Sequence, residues 1–382
     1  MPADLPVKLY CDESADCPDG TYCSPDGQCA EWREKEDDVV VPPEPPPEPP
    51  TKWEPPGKPN CDESADCPDG SLCHPDGQCL AWGDKDAQGA ELLATTDIAH
   101  GAVIRDIWIS DDGVYYLDSG TTDALYNPSL DGAVRFLRHG EREPSVIHGG
   151  LSRPWEMFGE GDRLFVLDVP RTAVEITLGT ELETRTLDLG CGADCHLLGL
   201  APAPGGLYYT RADGQPERYS IMFKAQAADS LPVVLEELVS TPVSLSQGEN
   251  FIYVFYSDPA YVLRPLNKQT GELEDGVPHG GGTTVDFHGE VFSGGYGVQK
   301  STPSGEPINL YLPASFAPFD IHSVSTAGIL VYDTTAAALL LVPTDPGPAK
   351  SIFTTSRWVS SAVTHGDHVY FVIDGCLMRK AL

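Results

Sequence analysis

"HGDHVYFVIDGCLMRKAL", His365 to Leu382, is the stretch whose reading decides the fold. A turn of Gly and acid leads into an apolar run, then an Asp, a second Gly turn and a second apolar run, which is the signature of two antiparallel strands. The first run, "HVYFVI", does not alternate apolar with polar, so both of its faces must meet other protein. The same phrase recurs as "DDGVYYLD" from Asp111, "GEGDRLFVLD" from Gly159, "PGGLYYT" from Pro204, "GENFIYVFYSD" from Gly248, "HGEVFSGG" from His288 and "AGILVYD" from Ala327. Seven copies at intervals of roughly forty residues match the period of four-stranded propeller blades.

Each copy has room for four strands. Around the first, "AVIRDIWIS" is the inner strand, "GVYYLD" the second, "DALYNPSL" the third and "AVRFLRH" the outer one. The last copy supplies only three, ending in "CLMRKAL", while "GAELLATTDI", Gly89 to Ile98, precedes the first blade without a blade of its own. Placing residues 89–98 as the outer strand of the seventh blade pairs two edges and closes the ring. The fold class expected is therefore all-β, a seven-bladed β-propeller over residues 89–382 closed by an N-terminal strand. The phrases "GDHVYFVIDGCLMRKAL" and "GILVYDTTAAALLLVPTDPG" are similar to YWTD-like propeller repeats of exported proteins. That resemblance implies either a ligand-binding surface protein or, in a minority of cases, a lyase or hydrolase.

Ahead of the propeller, "CDESADCPDGTYCSPDGQC" at Cys11–Cys29 is written again, almost unchanged, at Cys61–Cys79. The C-x5-C-x5-C-x5-C spacing encloses almost nothing apolar, so cross-links rather than a core must hold each copy. Two disulfides per copy are expected, each worth roughly 2 to 3 kcal/mol in the chain-entropy account. Of the three connectivities that four cysteines allow, the crossed one is preferred: Cys11–Cys23 with Cys17–Cys29, and Cys61–Cys73 with Cys67–Cys79. Zinc would need closer cysteine pairs. The segments resemble small extracellular cysteine-rich modules of the EB and dickkopf-like sort, which implies secretion and interaction. Trp32 and Trp82 follow at equal offset, as lids on the knots or as contact residues. The domain order expected is a module over residues 1–32, a proline-rich linker over 33–60, a second module over 61–82 and a short linker over 83–88. "VVVPPEPPPEPPTKWEPPGKP", Val39–Pro59, reads as a polyproline II rod of roughly 60 Å.

The formal charge of −34 repels polyanions and argues against nucleic-acid binding. No apolar run reaches the length of a membrane span, and the cysteine density points to an oxidising, extracytoplasmic location, with any export signal already removed. No cofactor is expected; calcium at the acidic turns is the alternative, although the D-x-[DN]-x-[DN]-G loop is absent. "CGADCH", Cys191–His196, departs from the haem attachment signature and is read as a loop disulfide, Cys191–Cys195. Cys376 is then the odd cysteine, expected as a buried thiol outside any bridge.

Polar residues on or beside the inner strands are the candidates for a channel-mouth ligand site: Arg105, Asp106, Arg153, Trp155, Glu156, His196, Asp286, Asp320 and His322. No spacing among them singles out a nucleophile, base and orienter. The function expected is recognition, with a propeller and tandem acidic modules engaging a protein or cell-surface glycan. The rival is an extracytoplasmic lyase or hydrolase using Asp320, His322 and Glu156.

Overall fold

The computed structural model describes residues 21–23, 29–31, 71–73, 79–81, 83–96, 102–122, 128–179, 181–214, 217–227, 230–238, 242–256, 262–275, 277–278, 283–295, 297–301, 307–312, 321–355, 357–373 and 375–382. Two compact units are present, Met1–Gly57 and Lys58–Leu382. In the first, Thr21–Cys23 pairs antiparallel with Cys29–Glu31. The second holds the equivalent hairpin, Ser71–Cys73 with Cys79–Ala81, and seven four-stranded sheets. Cys79 is disulfide-bonded, while its partner, the other cysteines expected to bridge within the two modules, and Trp32 and Trp82 lie outside the described side chains.

The seven sheets are the blades of an all-β propeller. Their inner strands are Ile104–Ser110, Pro154–Glu160, Cys195–Ala203, Pro242–Gln247, Thr284–Phe287, Ile321–Ser325 and Val359–His365. Each packs beside the inner strand of the next blade, and the seventh returns to the first. Second strands such as Gly113–Asp118 and Gly328–Asp333 are buried along their whole length, because each is sandwiched between two neighbouring blades. Their lack of alternation in the sequence has this cause.

The Asp that closes several of these phrases has a consistent job. Asp118 accepts from the Gly120 amide at 3.1 Å and the Arg135 guanidinium at 2.8 Å. Asp168 accepts from the Ser152 and Arg153 amides at 3.0 and 2.5 Å, tying the end of one strand to the connection entering its own blade. Asp333 accepts from the Thr335 and Ala336 amides and, at 2.7 Å, from the Tyr311 hydroxyl of the preceding blade. All three are buried, and each side chain satisfies amides that a turn would otherwise leave without partners.

Closure occurs as the missing fourth strand required. Blade seven is Val359–His365, His368–Ile373, Cys376–Ala381 and then Glu91–Thr95, with Cys376 opposite Thr95 and Arg379 opposite Glu91. The closing strand is shorter than the expected 89–98 span, and Arg379 donates to Glu91 at 2.7 Å across it. Cys376 places its thiol in the interior, 3.9 Å from the Thr95 hydroxyl.

Residues 83–88, expected as a short linker, form a braced turn. Asp86 accepts from the amides of Gln88 and Ala90, both at 2.8 Å, and Asp84 accepts from the Ala81 amide at 3.2 Å. Gln88 clasps the edge of blade six, donating to the Thr354 carbonyl at 2.7 Å and accepting from its amide at 2.8 Å. Ahead of this turn, Leu80 is fully buried among Ala90, Leu92, Leu330, Leu339 and Phe371. Ala30 stands at the matching position of the first module. Leu80→Ala is expected to destabilise the second unit by about 2–5 kcal/mol, read as a lower denaturant midpoint. A chain beginning at Lys58 should keep the full midpoint, whereas one beginning at Gly89 should lose at least as much as the point variant.

Candidate functional site

All seven inner strands run in the same direction across their blades, so residues near their starts gather at one end of the channel. In six of the seven a register shift interrupts pairing near that start, at Ile104/Ile107, Pro154/Glu156, Leu197/Gly199, Pro242/Ser244, Ile321/Ser323 and Val359/Ser361. A bulge frees a residue from the ladder and re-aims its side chain. Arg105, Asp106, Trp155 and His322 all lie in these interruptions. Three consecutive blades repeat the arrangement with one burial pattern, so that Ser361, Asp106 and Glu156 occupy the same position of Val359–His365, Ile104–Ser110 and Pro154–Glu160.

Asp106 straps three blades together. Its carboxylate accepts from the Ile107 amide at 2.9 Å, from the Met157 amide of the second blade at 3.1 Å and from the Ser361 hydroxyl of the seventh at 2.9 Å. Burial pushes its pKa up to about 6, against the pull of those three donors. Glu156, one blade on, is pushed up to about 8 by burial and by the neighbouring Asp106 charge. At neutral pH Glu156 therefore carries its proton.

Outside these carboxyls the mouth displays cations and an aromatic ring. The Arg105 guanidinium lies over the Trp155 indole, 5.1 Å from its centroid, and Trp155 is 44% exposed. Burial and the neighbouring charge of Arg153 both lower the Arg105 pKa. Among the described residues neither arginine side chain is in an ion pair, in a chain whose acids far outnumber its bases.

The other candidates separate from this group. His322 is held neutral, its pKa lowered by burial to about 4, and its Nε2 is buried without a hydrogen-bond partner among the described residues. His196 is exposed beside the Cys191–Cys195 disulfide, whose Cys195 carbonyl accepts from Arg171. Asp286 is at the far end of the channel, where it accepts from the Asn250 amide and side chain at 2.8 and 3.2 Å and from the Phe251 amide at 3.2 Å. It thereby fastens the fourth blade's turn to the fifth, and Gly248 lies so close that a Cβ there would overlap the carboxylate. Asp320 lies outside the described residues. Reading residue by residue missed Ser361 and, at the far end, Lys268 buried among Glu160, Asp286 and Glu249. Aligning the inner strands blade on blade would have found Ser361.

Among the described residues no helix is long and apolar enough to cross a membrane, and no group of three His, Cys, Asp or Glu side chains is placed to hold a metal ion.

No protein-family profile matches the chain, and no curated protein does. Solved structures do. A catalytically inactive variant of virginiamycin B lyase from Staphylococcus aureus, with quinupristin, matches at 12% identity over 77% of this chain and 99% of that one, with a TM-score of 0.57. The WD40 propeller domain of Doa1 matches at 14% identity over 76% and 96%, TM-score 0.52. A computationally designed protein, Ika8, matches at 13% over 76% and 99%, TM-score 0.51. The likeness is one of fold, shared by a lyase, a WD40 domain and a designed protein.

The Glu156 pKa carries a pH signature. Its value of about 8 lies above the ordinary 4.5, so between those two pH values the folded chain holds a proton that the unfolded chain has lost. The stability due to that proton is complete below the lower value and disappears as pH rises through the upper one. Glu156→Gln removes the dependence. Its melting temperature relative to the parent should climb by about 2 °C or more between pH 5 and pH 8, measured by calorimetry in parallel buffers.

Proposed function

We propose that the chain is an exported or cell-surface recognition protein whose propeller binds a protein or glycan partner at the channel mouth. One observation carries this reading: the groups displayed there are a guanidinium on an indole, with a second guanidinium beside them, while the Asp106 carboxylate is committed to hydrogen bonds between blades. Guanidinium and indole are the side chains that anchor binding surfaces. The duplicated acidic module fits the same role, since two like modules joined by a proline-rich linker raise the effective concentration at repeated sites.

A second reading, a lyase or hydrolase with its site at the mouth, is favoured by Glu156, whose proton is retained at neutral pH as a general acid requires. The two readings diverge in one experiment. The full chain, the chain beginning at Lys58 and an Arg105→Gln/Arg153→Gln double variant are assayed against immobilised protein and glycan panels. Recognition at the mouth predicts that the double variant loses binding at least ten-fold while Glu156→Gln retains it. Bound panel members recovered chemically altered, and unaltered after contact with Glu156→Gln, would replace recognition by catalysis.

A further inference from the structure

Arg105 and Arg153 are exposed side chains close enough for the charge of one to act on the other, and among the described residues no acid forms an ion pair with either. Burial and Arg153 both act to lower the Arg105 pKa, and no carboxylate among the described residues opposes them. Glu156, one residue beyond Trp155, carries its proton at neutral pH, and both oxygens of Asp106 point to the Ile107 and Met157 amides and the Ser361 hydroxyl. A guanidinium pair that no described acid engages fits an oxyanion, which it can meet through several charge-assisted hydrogen bonds. Beside the pair is Trp155, set in a bulge and 44% exposed with Arg105 stacked on it, so a flat ring has indole surface to lie on. The net charge of −34 limits what can arrive, because a long polyanion is repelled by the rest of the molecule whereas a ligand with one or two charges is opposed only weakly.

We propose that Arg105, Arg153 and Trp155 form a binding site for a small carboxylate carried on a ring, the carboxylate between the two guanidiniums and the ring against the indole. This rests on the recognition reading and names the chemistry that its mouth accepts. Aromatic acids and single uronic-acid units share that chemistry.

The test is calorimetric titration of the full chain at low salt with benzoate and galacturonate, and with benzyl alcohol and galactose as uncharged counterparts. Both acids are expected to bind at least ten-fold more tightly than their counterparts, and which of the two is tighter identifies the kind of ring. Arg105→Gln and Arg153→Gln should each weaken binding by about ten-fold, with Arg105→Lys intermediate. Trp155→Leu should weaken the ring-bearing acids while leaving acetate unchanged. Melting curves check that each variant is folded; Arg105→Lys and Arg153→Gln, which leave the stacked indole in place, serve if the others are not. Equal binding of charged and neutral ligands, or full affinity in both arginine-to-glutamine variants, overturns the proposal, as does polygalacturonate binding more tightly per unit than the monomer. Failure here is distinguishable from failure of the recognition reading: partner binding lost in the double variant without carboxylate binding overturns only the ligand chemistry. Carboxylate binding with partner capture intact in that variant upholds the site and removes it from partner recognition.

Discussion

The antiparallel pairing of Glu91–Thr95 with Cys376–Ala381 makes the ring a ring. Without it, the seventh blade presents the open edge of Cys376–Ala381, and Ala94 leaves the buried cluster it shares with Ile104 and Ile107 of the first blade. The fully buried second strands depend on that closure too, since a strand apolar on both faces needs a blade on each side. The Arg379–Glu91 ion pair and the Leu92 side chain, buried beside Met378 and Leu80, hold the seam from the polar and apolar sides.

Around this seam the structure uses carboxylates in two different ways. Asp118, Asp168 and Asp333 satisfy turn amides at the ends of second strands, and Asp106 and Asp286 cross from one blade to the next. In a chain with 58 acidic residues against 24 basic ones, these are acids with fixed structural work, and among the described residues none of them forms an ion pair with Arg105 or Arg153 at the channel mouth.

The blade count and the origin of the closing strand were legible because each is a pattern repeated many times: the Gly turn, the apolar run, the terminal Asp. In the first blade, Gly132–Arg138 is the third strand rather than the outer one, and the outer strand is Ser145–Leu151, a polar, partly exposed stretch without the apolar run that marks the others; what else was not legible depended on single residues whose neighbours are distant in sequence. Leu80 stands where the first copy has Ala30, and nothing near it in the sequence announces the buried apolar cluster it joins, while Gln88 lies in a polar stretch that composition alone assigns to a linker. Asp286 and Asp106 look equivalent as acids on inner strands, yet they sit at opposite ends of the channel, because position along the strand decides which turn each can reach. The bulges that aim Arg105, Trp155 and His322 leave no mark in residue types, so residue types alone present the mouth as a crowd of polar groups rather than as a cationic pair beside an indole.

The seam also fixes an order of events during synthesis. Glu91–Thr95 is made before any blade, but its partner strand is made only after the sixth, so Leu92 and Leu93 must wait through the making of six complete sheets. Long-range pairing of this kind is slow, and an apolar strand kept waiting is exposed to aggregation. The polar turn at residues 83–88 precedes the waiting strand directly, with Asp84, Lys85 and Asp86 as charged gatekeepers against premature association.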